Sequence, residues 1–216
     1  MTEIKPGRRR SPKFELIGGN VCLDFINTLD DRPSAEPKEL LKNYYDLARF
    51  GEDTGILRPA ELDYFYERVH LAQEQADEAV RRARNLREAL HEIFSALMNQ
   101  KTAPQGAMNR LNANLHDAAL HSRLVQSGER LEWRFDDLTS SFNAMLWPIA
   151  RAAADLLTSP DVAQVRACSS PTCQWLFLDT SKNHHRRWCS MKQCGNRAKV
   201  RKFYAKRRGP VREQEA

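Results

Sequence analysis

Apolar residues recur at helical spacing through most of the first 160 positions, and the breaks in that rhythm mark out the elements. Phe14-Glu15-Leu16-Ile17, the pair Gly18-Gly19, and Val21-Cys22-Leu23-Asp24-Phe25-Ile26 predict a short strand, a turn, and a second buried strand or helix start. After a loop through Pro33 and Pro37, Leu40, Leu41, Tyr44, Leu47 and Ala48 keep to one helical face until Gly51 and Gly55. Pro59 suits the first residue of the next helix, where a missing N–H costs nothing, and Leu62, Phe65, Tyr66 and Val69 form its stripe. A break between Val69 and Gln73 precedes a long helix carrying Ala79, Ala83, Leu86, Leu90, Ile93, Phe94 and Leu97, which ends before Pro104. Leu111, Leu115, Ala118 and Ala119 mark another. Alternation on both sides of Ser127-Gly128-Glu129-Arg130, through Leu124-Val125-Gln126 and Leu131 to Phe135, predicts a β-hairpin. Thr139 or Ser140 is the expected cap of a last helix through Trp147-Pro148 to Leu157, kinked or restarted at the proline, and Ser159-Pro160 closes the region.

The remaining quarter has a different character. Cys168 and Cys173 form one Cys-x4-Cys pair, and Cys189 and Cys194 another. Two pairs supply four thiolates for one tetrahedral, structural Zn²⁺, each pair reaching the metal from its own short loop at about 2.3 Å. Disulfides are the competing reading, but they belong to small secreted chains, and no apolar signal segment opens this one. His184 and His185 are rival ligands, though the second cysteine pair completes the tetrahedron without them. Trp175 to Asp179 is expected to form one arm of a hairpin and the stretch after Asn183 the other. Cys194 is then expected in the first turn of a helix, whose free N–H groups favour a thiolate. Knuckle, hairpin and helix N-terminus around one metal describe a treble clef.

Size and composition sharpen this division. With 216 residues, 41% of them hydrophobic, the chain suits one moderate domain plus a small appendage. It has no apolar run near eighteen residues, so no membrane span is expected and the cytoplasm is the expected location. The net charge of +6 is unevenly spread: Arg166 to Arg212 hold thirteen Lys or Arg against Asp179 alone, leaving −6 for the rest. Such segregation points to a polyanion partner, DNA first and RNA second.

On a wheel of about 100° per residue, Val200, Phe203 and Tyr204 share one sector of the helix after Cys194 and are expected to pack on the finger's hairpin and tryptophans. Ala198 and Ala205 lie nearly opposite, between basic rows. Candidate nucleic-acid contacts are Arg186, Arg187, Arg197, Lys199, Arg201, Lys202, Lys206 and Arg208. Arg197 can serve a phosphate or offset the charge of the zinc thiolates. Asp24 and Asn27 fit helix caps better than a ligand site, and no nucleophile–base pair or phosphate-cradling loop suggests an enzyme.

Cys194-Gly195-Asn196-Arg197 spells the signature of the CGNR zinc-finger family, and Trp188-Cys189-Ser190-Met191, Ser181-Lys182-Asn183 and Arg186-Arg187 are similar to it. Upstream, Gly18-Gly19-Asn20 followed by Leu23-Asp24-Phe25-Ile26-Asn27-Thr28 resembles the opening of the ABATE domain, the usual companion of this finger. The resemblance implies a stress-induced transcription regulator with zinc ligands Cys168, Cys173, Cys189 and Cys194 and a finger that binds DNA. The expected fold is α+β: a mainly helical N-terminal domain with a few short strands and a hairpin, plus a small C-terminal treble-clef finger. The boundaries are a basic arm over 1–13, an ABATE-like domain over 14–160, the finger over 161–208 and a tail over 209–216. The larger domain is expected to sense an unidentified small ligand or to form a homodimer. A metabolite-binding or enzymatic role for it, around Asp24, Asn27 and His91, is the alternative beside RNA binding.

Overall fold

A computed structural model describes residues 14–207. The two glycines after Ile17 make a turn and not a strand end: Gly19 has φ +76°, and a Cβ on Gly18 would lie 2.9 Å from the backbone nitrogen of Asp24. That turn delivers Asn20 as the cap of α1 (Val21–Ile26), where its side chain accepts the Cys22 N–H. No strand forms over 14–17. Two-residue strands β1 (Leu29–Asp30) and β2 (Lys38–Glu39) pair antiparallel, so Leu40 and Leu41 fall outside the helix expected from their spacing. That helix, α2 (Tyr44–Asp53), begins where Asn43 accepts the N–H of Asp46 while Asp46 accepts that of Lys42. This reciprocal cap overrides the apolar periodicity upstream of it.

Pro59 opens α3 (Pro59–Arg68) as expected, and a single 3₁₀ turn over Val69–Leu71 makes the break before α4 (Gln73–Met98). The buried stripe of α4, from Ala76 to Phe94, is the axis of the domain; α1, α2 and α5 (Gln105–Leu120) pack along it. Small residues Ala76, Ala79, Ala83 and Ala89 let those neighbours approach closely. One charge sits in the stripe. Arg87 is 3% exposed and forms a two-toothed pair with Glu39 at 2.6 and 2.7 Å, with Glu88 at 2.9 Å, clamping β2 to α4.

The hairpin is β3 (Ser122–Ser127) with β4 (Arg130–Phe135), in register Leu124 to Trp133. The last helix of the region, α6, spans Leu146–Thr158. Neither Thr139 nor Ser140 caps it, because a turn over 142–145 intervenes; Pro148 stands in its first turn, where no intrahelical donor is needed.

The second region starts with β5 (Val165–Ala167), which pairs antiparallel with β6 (Leu176–Leu178). The stretch after Asn183 is not the partner strand; it is held as a loop by Asp179, as described below. After a π turn over Met191–Gly195, α7 (Asn196–Arg207) ends the described chain. The overall fold is thus mainly helical, with short strands, a hairpin and a C-terminal cysteine module in treble-clef order.

Candidate metal centre

The β5–β6 hairpin carries the first cysteine pair in its turn. Cys168 follows β5 directly, its N–H bonded to the carbonyl of Trp175, and the N–H of Cys173 closes on the carbonyl of Ser170. The second pair arrives through a loop organised by Asp179. This buried carboxylate accepts the Ser181 N–H and hydroxyl and the Arg186 N–H, which turns the chain back so that Arg187 can accept the N–H of Ser169. Cys194 sits in the π turn just before α7. A Cβ on Gly195 would meet the Met191 sulfur at 2.9 Å, so the Met191 side chain would have to move aside. Asn196 donates to the carbonyl of Lys192.

All four sulfurs lie within 4.8 Å of one another and all four residues are buried. Cys173 to Cys189 and Cys189 to Cys194 are each 3.6 Å, far beyond a covalent S–S bond and close to the edge of about 3.8 Å of a sulfur tetrahedron around zinc. Hydrogen bonds couple three of the four sulfurs. Cys168 is held far below the ordinary thiol range, first by its hydrogen bond from Cys173 and then by Cys189. Cys173 is pushed up to about 12, chiefly by its hydrogen bond to Cys168, and Cys189 is pushed up in the same way. A cation at the centre would take the place of the protons that these hydrogen bonds share, because the thiolate is the metal ligand. The four cysteines can therefore hold one Zn²⁺ with no open coordination position for chemistry.

His184 and His185 are exposed and stand apart from the tetrad, His184 bonding through Nδ1 with the carbonyl of Asp179. Cys22 is buried in the large core. Arg197 lines a cleft of about 260 Å³ beside Cys173, Cys189 and Cys194, whose wall also carries Glu15, Asp30 and Asp31. Arg186 is occupied within the finger: it donates to the carbonyls of Trp188 and Cys189 and lies over the Phe177 ring. Arg187 is exposed above Trp188. Lys199, Arg201 and Lys202 are exposed on α7, with Arg201 reaching the Ser170 hydroxyl at 3.4 Å. Lys206 lies in α7 with its side chain outside the described residues, and Arg208 lies outside them altogether.

One expectation is overturned here. Val200, Phe203 and Tyr204 are 53%, 54% and 59% exposed and do not pack on the finger, whose small core is complete with Trp175, Phe177 and the cysteines. Asn27 is the C-terminal cap residue of α1, in line with the cap expected of it, but the side chains of Asp24 and Asn27 have further tasks. Asp24 accepts the Gly18 N–H and fixes the glycine turn. Asn27 reaches across 149 positions to β6, donating to the Leu176 carbonyl at 2.9 Å and accepting its N–H at 2.8 Å, as a neighbouring strand would. The Leu178 N–H bonds the Gly18 carbonyl. Finger and helical domain are stitched together by residues 18–27. The partners of Asp179 are mostly backbone and leave no side-chain pattern in the sequence; the Asp-x-Ser spacing with Ser181, typical of an Asx turn, is the one local signal of this role.

Among the described residues no helix is long and apolar enough to cross a membrane. Compared with protein families, residues 19–160 match ABATE, described as "Putative stress-induced transcription regulator", and residues 164–207 match the CGNR zinc finger. No curated protein matches the chain.

Proposed function

The chain belongs to the ABATE family and carries a CGNR zinc finger at its C-terminal end, and from that premise we propose a cytosolic transcription regulator whose α7 grips DNA. One observation carries the reading: from Asn196 to Tyr204 every side chain but that of Ala198 is exposed, so among the described residues α7 projects from the finger with Arg201 alone reaching back, to the Ser170 hydroxyl. A helix of this length owes most of its stability to what it packs against. Here the base is the cysteine tetrad, and the open faces await an external surface.

That surface is a polyanion. α7 holds Arg197, Lys199, Arg201, Lys202, Lys206 and Arg207 and no acid. Arg187, on the loop that leads to Cys189, extends the basic strip toward the tetrad. Arg186 contributes by holding that loop, not by touching phosphate. Arg197 is free to reach a backbone phosphate, and its place near the sulfurs also moderates their charge. In this reading zinc is a structural tie and the protein acts by binding rather than by catalysis, in keeping with Asp24 and Asn27 being bonded to backbone. The larger domain either senses a small ligand or pairs two copies.

RNA is the second reading, favoured by Phe203 and Tyr204, which stand exposed among the cations where unpaired bases can stack. Fluorescence anisotropy with labelled duplex separates these outcomes. Binding is expected to weaken steeply with salt, and Arg201→Glu with Lys202→Glu is expected to lower affinity at least tenfold and flatten the salt slope by about two. Unchanged affinity in that variant removes α7 from the interface, and efficient competition by structured RNA transfers the reading to RNA.

A further inference from the structure

The two sides of α7 have different surroundings. Ala198 is the one residue from Asn196 to Tyr204 that is not exposed, and Arg201, about 60° away on the helical wheel, reaches the Ser170 hydroxyl at 3.4 Å. The alanine side is therefore turned to the finger, and the side of Val200, Phe203 and Tyr204 is turned outward. Each of these three is more than half exposed. Phe203 and Tyr204 meet edge to face with ring centres 5.7 Å apart, so they form one ridge. Arg207 lies over the Phe203 ring, 5.1 Å from its centre, and still leaves that ring more than half exposed.

Cations flank the ridge. Counted from Val200 at about 100° per residue, Arg197 and Arg201 stand about 60° and 100° to one side and Lys199 about 100° to the other. α7 has no acid to neutralise them. An apolar ridge between two cationic flanks matches a duplex, which has bases between two phosphate backbones. A membrane surface fits less well, since it takes up a large apolar helix face and Asn196 to Lys199 offer no large apolar residue. What the ridge touches follows from its chemistry. Base edges in the grooves are hydrogen-bonding groups apart from the thymine methyl, whereas every base has an apolar face on which an aromatic ring stacks.

We infer that Phe203 and Tyr204 enter the base stack of duplex DNA as a wedge, partly unstacking one step and kinking the duplex, while Arg197, Arg201 and Lys199 hold the backbones on either side. The wedge presupposes the DNA reading proposed above and adds the class of site it selects. Opening a step costs least at pyrimidine–purine steps and at mismatches, so the preferred partner is a duplex that unstacks easily.

The test uses the full chain and a short duplex with a fluorophore at each end. Energy transfer between the ends is expected to rise on saturation, by a kink within the range of about 20–90° that apolar wedges produce. A central mismatch is expected to tighten binding by about fivefold or more. Phe203→Ala with Tyr204→Ala, which favours the helix and removes nothing from the finger's core, is expected to keep salt-dependent binding and to lose both the kink and the mismatch preference. A duplex that is bound but stays straight, a kink that persists in the variant, or equal affinity for matched and mismatched duplexes overturns the wedge and leaves the DNA reading standing. Absence of duplex binding at any salt removes that reading and the wedge with it. Binding to phosphatidylglycerol vesicles that is lost in the variant, with no kink in DNA, assigns the ridge to a membrane surface and overturns the wedge.

Discussion

The helical region and the finger solve the same problem by opposite means. Between Phe14 and Thr158 the chain buries a continuous apolar core in which Phe25, Phe50, Phe65 and Phe94 are all but inaccessible, and the one buried cation, Arg87, is closed in by carboxylates. The finger's own cluster is little more than Trp175, Phe177 and four cysteines, while its Val165 and Leu176 are buried in the larger core. A module of that size cannot offset its chain entropy by apolar burial, so a cation and a borrowed partner must supply the difference. The partner is Asn27, whose amide completes the backbone bonding of β6 from the other region. The comparison teaches where each region is vulnerable: the first to lost packing, the second to lost metal or a lost stitch.

Metal removal should separate the two regions most sharply. Binding of a structural zinc is worth on the order of 10 kcal/mol, nearly all of it folding energy of the module that holds it. Chelation, or Cys189→Ser, is therefore expected to abolish amide-exchange protection over 165–178 and 191–207 while α4 stays protected. Loss of protection across both regions together would show that the helical core does not stand alone.

Cutting the stitch comes next. Asn27→Ala leaves the Leu176 N–H and carbonyl without partners in a buried place, at about 2 to 4 kcal/mol. Exchange at Leu176 and Leu178 is expected to accelerate with the zinc still bound. Unaltered exchange there would make the finger self-sufficient.

The smallest effect lies at the glycine turn and depends on pH. Burial raises Asp24 from 3.8 to about 6, against the opposing hydrogen bonds from Gly18 and Ile17. A raised carboxyl pKa means the folded chain holds the proton more tightly than the unfolded chain does. The stabilisation is complete below about pH 4 and is lost as pH rises through about 6. Asp24→Asn, still able to accept the Gly18 N–H, is expected to stabilise the protein by about 1 to 2 kcal/mol at pH 8, with the gain vanishing at pH 4. A gain independent of pH in urea titrations would assign it to something other than charge.

Local signals made much of this legible in advance. Pro59, the break after Val69, the long stripe of α4 and the turn at Gly128 sit where the periodicity put them, and the cysteine spacing brought together the four residues that meet. What stayed hidden is non-local or polar. Asn27 and Leu176 are far apart in sequence, and an amide acting as a strand leaves no pattern. β5 is three residues long, too short for alternation to reveal it as the partner of β6. Arg87 reads as an interruption of an apolar stripe until Glu39 is seen beside it. The sector of Val200, Phe203 and Tyr204 states that these residues share a side of α7, not what covers that side.

X-ray absorption at the zinc edge, on protein purified anaerobically without added metal, tests the central claim most directly. One zinc per chain surrounded by four sulfur neighbours at about 2.3 Å is the expected spectrum. Substoichiometric zinc, or nitrogen or oxygen in place of any of the sulfurs, would contradict a finger built around Cys168, Cys173, Cys189 and Cys194.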